Sequence, residues 1–192
     1  MNLKKTVRFL HCVKTLLRLT TAILPLVFSM FLTGCASPAQ PSAMIPTSFT
    51  VTKHHQGSVR VKVAGGNETN PLWVSDISCE DFSTALVAAM NRSALFQSVA
   101  ENNTDYKLDV LLVKVMKPFA GFSMTVTIVS EWKLIRTHDS KVTADEFVTT
   151  DFTATVGDAF VAIKRVRLAD EGAARANIAE GIRRLSELKL EN

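Results

Sequence analysis

The chain has 192 residues, enough for one domain with extensions and short of two full domains. Its 22 Lys and Arg outnumber its 18 Asp and Glu, but the excess is local: residues 1–34 carry Lys4, Lys5, Arg8, Lys14 and Arg18 and no acid, leaving 17 cations against 18 acids from residue 35 onward. The part of the chain that can fold is therefore close to neutral, and a nucleic-acid partner attracted by net charge loses its basis.

Met1 to Arg18 is a cationic segment, and Thr20 to Leu32 is an apolar run of 13 residues. A spanning helix needs roughly 20 residues. A shorter run interrupted by Pro25 matches the hydrophobic part of an export signal instead. Leu32-Thr33-Gly34-Cys35 follows it. This tetrad resembles the lipobox of bacterial lipoproteins, in which an apolar residue and two small ones precede the modified cysteine. Small residues let the extended chain enter the signal peptidase, and only cysteine supplies a thiol for diacylglyceryl transfer. The resemblance implies cleavage between Gly34 and Cys35, with lipid on the Cys35 sulfur and then on its amino group. One acyl chain binds a membrane marginally and several bind it stably, at about 0.8 kcal/mol per buried methylene. Ala36 stands where an aspartate would favour retention at the inner membrane, so the resemblance implies the outer membrane, periplasmic face.

Cys12 belongs to the leader and Cys35 to the cleavage site, so Cys79 is left alone in the mature chain. No disulfide is expected there without using the lipid-bearing residue, and a lone cysteine is expected to be buried as a small apolar side chain. Residues 1–34 are thus read as a lipoprotein signal peptide, 35–48 as the lipidated cysteine with a Pro-rich tether, and 49–192 as a periplasmic domain. Ala36 to Thr47 has three prolines and no charge. It is expected to be extended, reaching up to roughly 40 Å from the bilayer.

Within the domain, Ser58 to Ala64 alternates Val59, Val61 and Val63 with Arg60 and Lys62, the period of a strand with one buried face. Gly65-Gly66-Asn67 ends it. Ser78 is placed as an N-cap with Asp81 three residues on, and Ile77 and Phe82 are placed as a hydrophobic staple. Phe82, Ala85, Leu86, Ala89 and Met90 then fall on one helix face. Two strands, Tyr106 to Met116 and Phe122 to Ile135, meet in a hairpin around Lys117-Pro118-Phe119-Ala120-Gly121, and Val142 to Thr155 is a third. A helix is expected from about Asp158 to Leu188, its stripe Ala174, Ile178, Ile182, Leu185 and Leu188, with Arg183, Arg184 and Lys189 at its dipole's negative end. The order β-α-β-β-β-α predicts an α+β two-layer sandwich, a mainly antiparallel sheet with two helices on one face.

The domain resembles small envelope lipoproteins of Gram-negative bacteria in Phe82-Ser83-Thr84-Ala85-Leu86 followed by Leu95-Phe96, in Tyr106-Lys107-Leu108-Asp109, and in Gly157-Asp158-Ala159-Phe160 leading to Ala176-Asn177-Ile178. Those motifs are structural and imply no activity. In layout it is also similar to periplasmic lipoprotein subunits that assist envelope transporters and lipid-export machines.

No catalytic residue, metal set or cofactor motif is read from the sequence. His54 and His55 are strand neighbours facing opposite ways, and His138 sits in a turn; all three are expected at the surface. The pairs Glu80-Asp81, Asp145-Glu146 and Asp170-Glu171 are sequence neighbours that diverge, and Gly65-Gly66 lacks the rest of a phosphate loop. No GxSxG is present. Phe119 and Phe122 flank the hairpin tip beside Lys117, and Trp73 occupies the Asn70-Pro71-Leu72-Trp73 loop. These three are the candidate contacts to a partner or membrane, unless the rings fold back over the core. Lys164-Arg165-Val166-Arg167 reads as a solvated basic face.

The sequence therefore points to a non-enzymatic binding or accessory subunit, held to a membrane by Cys35 and serving an envelope transport or assembly complex whose protein partner it does not identify. A lipid or small-ligand carrier would instead need an apolar cavity of a few hundred Å³ between sheet and helices. An envelope hydrolase would need Ser, His and acid side chains brought together.

Overall fold

The computed structural model describes residues 37–68, 75–118 and 120–190. In chain order the elements are α1 (Pro41–Met44), β1 (His55–Gly65), α2 (Cys79–Ser93), β2 (Phe96–Val99), β3 (Tyr106–Met116), β4 (Met124–Arg136), β5 (Val142–Ala154) and α3 (Ala162–Glu187). The five strands form one mixed sheet in the order β2-β1-β3-β4-β5. The long β3-β4-β5 meander is antiparallel, while β1 runs parallel to both of its neighbours. This is the α+β arrangement expected, with α2 and α3 over one face.

Register decides which face is covered. Val110 pairs with Trp132 and Leu108 with Leu134, so the inward residues of β3 and β4 stand side by side and are buried. Leu111, paired with Glu131, and Phe147, paired with the same residue on the other side, look outward and are exposed. Phe82, Leu86 and Met90 of α2, with Ile178 and Ile182 of α3, close the inner face. Each such side chain contributes about 1.5–3 kcal/mol by leaving water. α3 comes close because Gly181 has no side chain: a Cβ there would lie 2.4 Å from Trp132 Cζ2.

The start of α2 forms as expected. Ser78 Oγ accepts from Asp81 N at 3.0 Å and donates to the Asp81 carboxylate at 2.8 Å, while Ile77 and Phe82 are both buried. Such a cap contributes about 1 kcal/mol. α2 connects β1 to the parallel strand β2, the crossover that parallel neighbours need. β2 was not expected; with four residues and one buried side chain, Phe96, it has too little alternation to read as a strand.

Two segments differ from the sequence reading. The final helix begins at Ala162 rather than near Asp158, because Asp158 turns back to accept from Thr155 N and Oγ1 and closes a turn over 156–158. The supposed tether is also not a free spacer where it is described. Pro41 to Met44 makes a short helix, and Ala39 and Met44 are fully buried. A proline-rich, uncharged composition looks like a linker, but its apolar side chains find a place beside α3.

Candidate functional site

The sheet has two ends of different chemistry. At the proximal end the described chain begins, β3 and β5 finish, and β4 and α3 start. Three cationic side chains tie this end together. Lys117 Nζ, at the close of β3, donates to the Ser75 carbonyl, to Asp76 Oδ1 at 2.6 Å and to Asp170 Oδ2 at 3.0 Å. Arg165, in the first turn of α3, is buried; it donates to the carbonyls of Ala159 at 2.9 Å, Phe160 at 2.6 Å and Gly121 at 3.2 Å. Arg167 donates to Ser37 Oγ at 2.8 Å and pairs with Glu171, whose carboxylate accepts from Gln40 N.

Buried charges persist only when paired or fully hydrogen-bonded. Through these bonds Lys117 and Arg165 join residues 75–76, 121 and 159–160 to the start of α3. Asp170 carries the electrostatic cost. Burial pushes its carboxyl up to about 7, with Lys117 pulling partly the other way. Outward from this tied base project Phe122, 85% exposed, and Phe160, 88% exposed; Val161, next to Phe160, and Val156, earlier in the same loop, are also open to solvent.

At the distal end, where β1, β3 and β5 start and β4 finishes, lies a cavity of about 420 Å³. Gln56, Gly57, Thr104, Asp105, Tyr106, Arg136, Thr137 and His138 line it. Its wall is built on a bulge in β1 between His55 and Ser58. Asp105 accepts from Ser58 N at 2.7 Å and Ser58 Oγ at 2.8 Å, and these bonds hold its carboxyl below the usual range. Asp139 accepts from Arg136 at 2.8 Å, which lowers its carboxyl to about 2. The hollow is partly open to solvent and much of its lining surface is apolar, while at its edge Ser58 Oγ donates to the Asp105 carboxylate.

Trp73, Phe119, Gly34 and Cys35 lie outside the described residues. Phe122 is the one of the candidate contacts that is described, and its ring stands free of the sheet. Three expectations are corrected. His55 is buried, sharing a hydrogen bond with the Leu185 carbonyl at 2.8 Å and lying against Phe96, because β1's first inward position faces the end of α3. Cys79 is exposed, since the first turn of α2 turns that position outward. Arg165 is no part of a solvated face. Sequence reading also missed Lys117 and Asp170 as partners; they lie 53 residues apart, and only the sheet brings them together.

Among the described residues no group of His, Cys, Asp and Glu gathers as a metal site, and no helix is long and apolar enough to cross a membrane. Where Trp132, Gly181 and Leu185 meet between the layers, the cavity measures about 10 Å³, too small at that place for a carried lipid.

No family model matches the chain, and no curated protein matches it in sequence. Solved structures do match in fold. Protein XCC0632 from Xanthomonas campestris, of family model DUF330, is 18% identical over 72% of this chain and 90% of that one, with a TM-score of 0.57. The hypothetical protein CT253 from Chlamydia trachomatis is 7% identical over 70% and 98%, with a TM-score of 0.50. A minor lipoprotein from Acinetobacter baumannii follows at 11% identity over 67% and 90%, TM-score 0.45. At such identity the first two likenesses establish the fold, and a fold carries no activity with it.

Proposed function

We propose that the chain is an envelope lipoprotein, exported, cut before Cys35, acylated there, and serving as a non-enzymatic binding or accessory subunit at the periplasmic face of the outer membrane. The observation that carries this reading is Leu32-Thr33-Gly34-Cys35 at the end of an acid-free cationic segment and a 13-residue apolar run. Two features of the domain support the second half. The polar groups at the proximal end are spent on holding loops, as in Lys117–Asp170. The gap at Trp132, Gly181 and Leu185 between the layers is about 10 Å³, which supports work at the surface over carriage there.

Metabolic labelling with an alkyne fatty acid tests the anchor. The wild-type protein takes the label and loses residues 1–34; Cys35→Ser takes none and leaves the membrane fraction. Label retained by Cys35→Ser, or an intact amino terminus by mass spectrometry, refutes the reading. Cross-linking in cells tests the accessory role. An envelope protein captured by the wild type and lost with Cys35→Ser is expected; no capture above background counts against it.

A further inference from the structure

We propose that the proximal end of the domain lies flat on the lipid surface that holds Cys35, with Phe122, Phe160 and Val161 set into it. This rests on the lipidation reading and adds an orientation that the reading does not contain.

The chain's path comes first. Ser37 bonds to Arg167, Gln40 to Glu171, and the Ala43 carbonyl accepts from Arg175, so residues 37–43 run beside α3 and in the same direction. Cys35 precedes Ser37 by two residues, which span at most about 7 Å. A lipid on Cys35 therefore enters the bilayer within a few ångströms of a residue fixed on the domain. A spacer of 12 free residues could hold the domain away from the membrane; this one cannot.

The surface at that place comes second. Phe122 and Phe160 are 85% and 88% exposed and Val161 is 52% exposed, far beyond what a ring keeps when it merely caps a core. Single exposed apolar side chains are ordinary. Two nearly free phenyl rings on neighbouring loops, beside the point where an anchored chain joins the domain, form a patch that calls for an apolar neighbour. Asp158, the acid within this loop, is turned back onto Thr155, and Lys164 is exposed one turn into α3, where it suits headgroup phosphate.

Rigidity comes third. Arg165 bonds carbonyls of both ring-bearing loops, at Phe160 and at Gly121, the residue before Phe122. The rings are presented from a fixed base, which lowers the ordering cost of inserting them.

The test uses the mature protein extracted from membranes and reconstituted into vesicles of phosphatidylcholine and phosphatidylglycerol. Nitroxides are attached, in a Cys79→Ser background, at Phe122→Cys, at Phe160→Cys and, as distal control, at His138→Cys. The acylated Cys35 sulfur takes no label. The proximal nitroxides are expected about 5–10 Å below the headgroup boundary, open to oxygen and shielded from a water-soluble nickel chelate, with the His138 position open to the chelate. Proximal labels as open to nickel as the control overturn the orientation. Labels shielded from both oxygen and nickel overturn it too, since a protein then covers the face. The mass of the amino terminus is read on the same sample. Acyl chains present with water-exposed labels defeat the orientation alone; acyl chains absent defeat the lipidation reading and the orientation with it.

Discussion

At the proximal end the loops are held by long cationic side chains that reach into buried positions, Lys117 to Asp170 and Arg165 to three carbonyls. At the distal end they are held by short carboxylates in contact with water, Asp105 on Ser58 and Asp139 on Arg136. The first kind of tie costs desolvation and returns fixed geometry; the second costs little and tolerates motion. The difference shows where the fold spends its electrostatics. The end that displays free phenyl rings is tied through buried cations, and the end with the hollow through exposed carboxylates.

The comparison breaks first at Asp170. Its folded carboxyl titrates near 7, above the unfolded value of 3.8, because burial disfavours the charge. Between about pH 4 and 7 the folded chain then binds more protons than the unfolded one. Stability from this group is therefore greatest below pH 4, falls as pH rises toward 7, and is level above it. At about 1.4 kcal/mol per unit the fall reaches up to about 4 kcal/mol. Asp170→Asn removes the titration, so the difference in urea-unfolding stability between wild type and variant changes across that window. A constant difference from pH 4 to 8 would show that the proximal tie carries no such cost.

Arg165→Met is the next largest. Three carbonyls lose a charged donor, and those near the surface regain water, so the loss is about 2–3 kcal/mol. Hydrogen exchange should quicken at residues 120–124 and 159–161. Arg136→Met at the distal end should cost less, because the guanidinium and Asp139 remain partly in water. Equal losses at the two ends would erase the contrast.

How much of this was legible varies with what signals each feature. Alternation in β1, the Ser78 cap with its staple, and the apolar stripe through Ile178 and Ile182 are local patterns, and the fold built from them stands as expected. The proximal ties are not local. Arg165 sits between Lys164 and Val166 in what looks like a charged run, and nothing nearby says that its partners are carbonyls at 121, 159 and 160. Asn177 likewise looks like a surface residue. It accepts from Ser130 Oγ, which itself accepts from the Trp132 indole, a buried polar chain made only when α3 meets β4. Residues 37–48 misled in the other direction, since proline content outweighed the apolar side chains that bury. Of the proximal patch, Phe122 was visible because the hairpin was; Phe160 was hidden by a helix start placed near Asp158.

Two glycines give the finest test. Gly57, on the distal bulge, has φ +90°, and a Cβ there would come within 2.9 Å of Asp105 Oδ2. Gly157, in the proximal turn, is not in the left-handed region, and a Cβ there would meet Thr155 Oγ1 at an ordinary 3.4 Å. Gly57→Ala should cost about 1–2 kcal/mol from backbone strain alone, and should loosen the Ser58–Asp105 bonds that shape the hollow. Gly157→Ala restricts the unfolded chain and leaves the turn intact, so it should stabilise by about 0.4–1 kcal/mol. Melting temperatures shifted in opposite directions would show that the distal end, though loosely tied, depends on one backbone conformation. The proximal turn depends instead on the side chains beneath it. Shifts of the same sign would mean the two ends obey the same constraint.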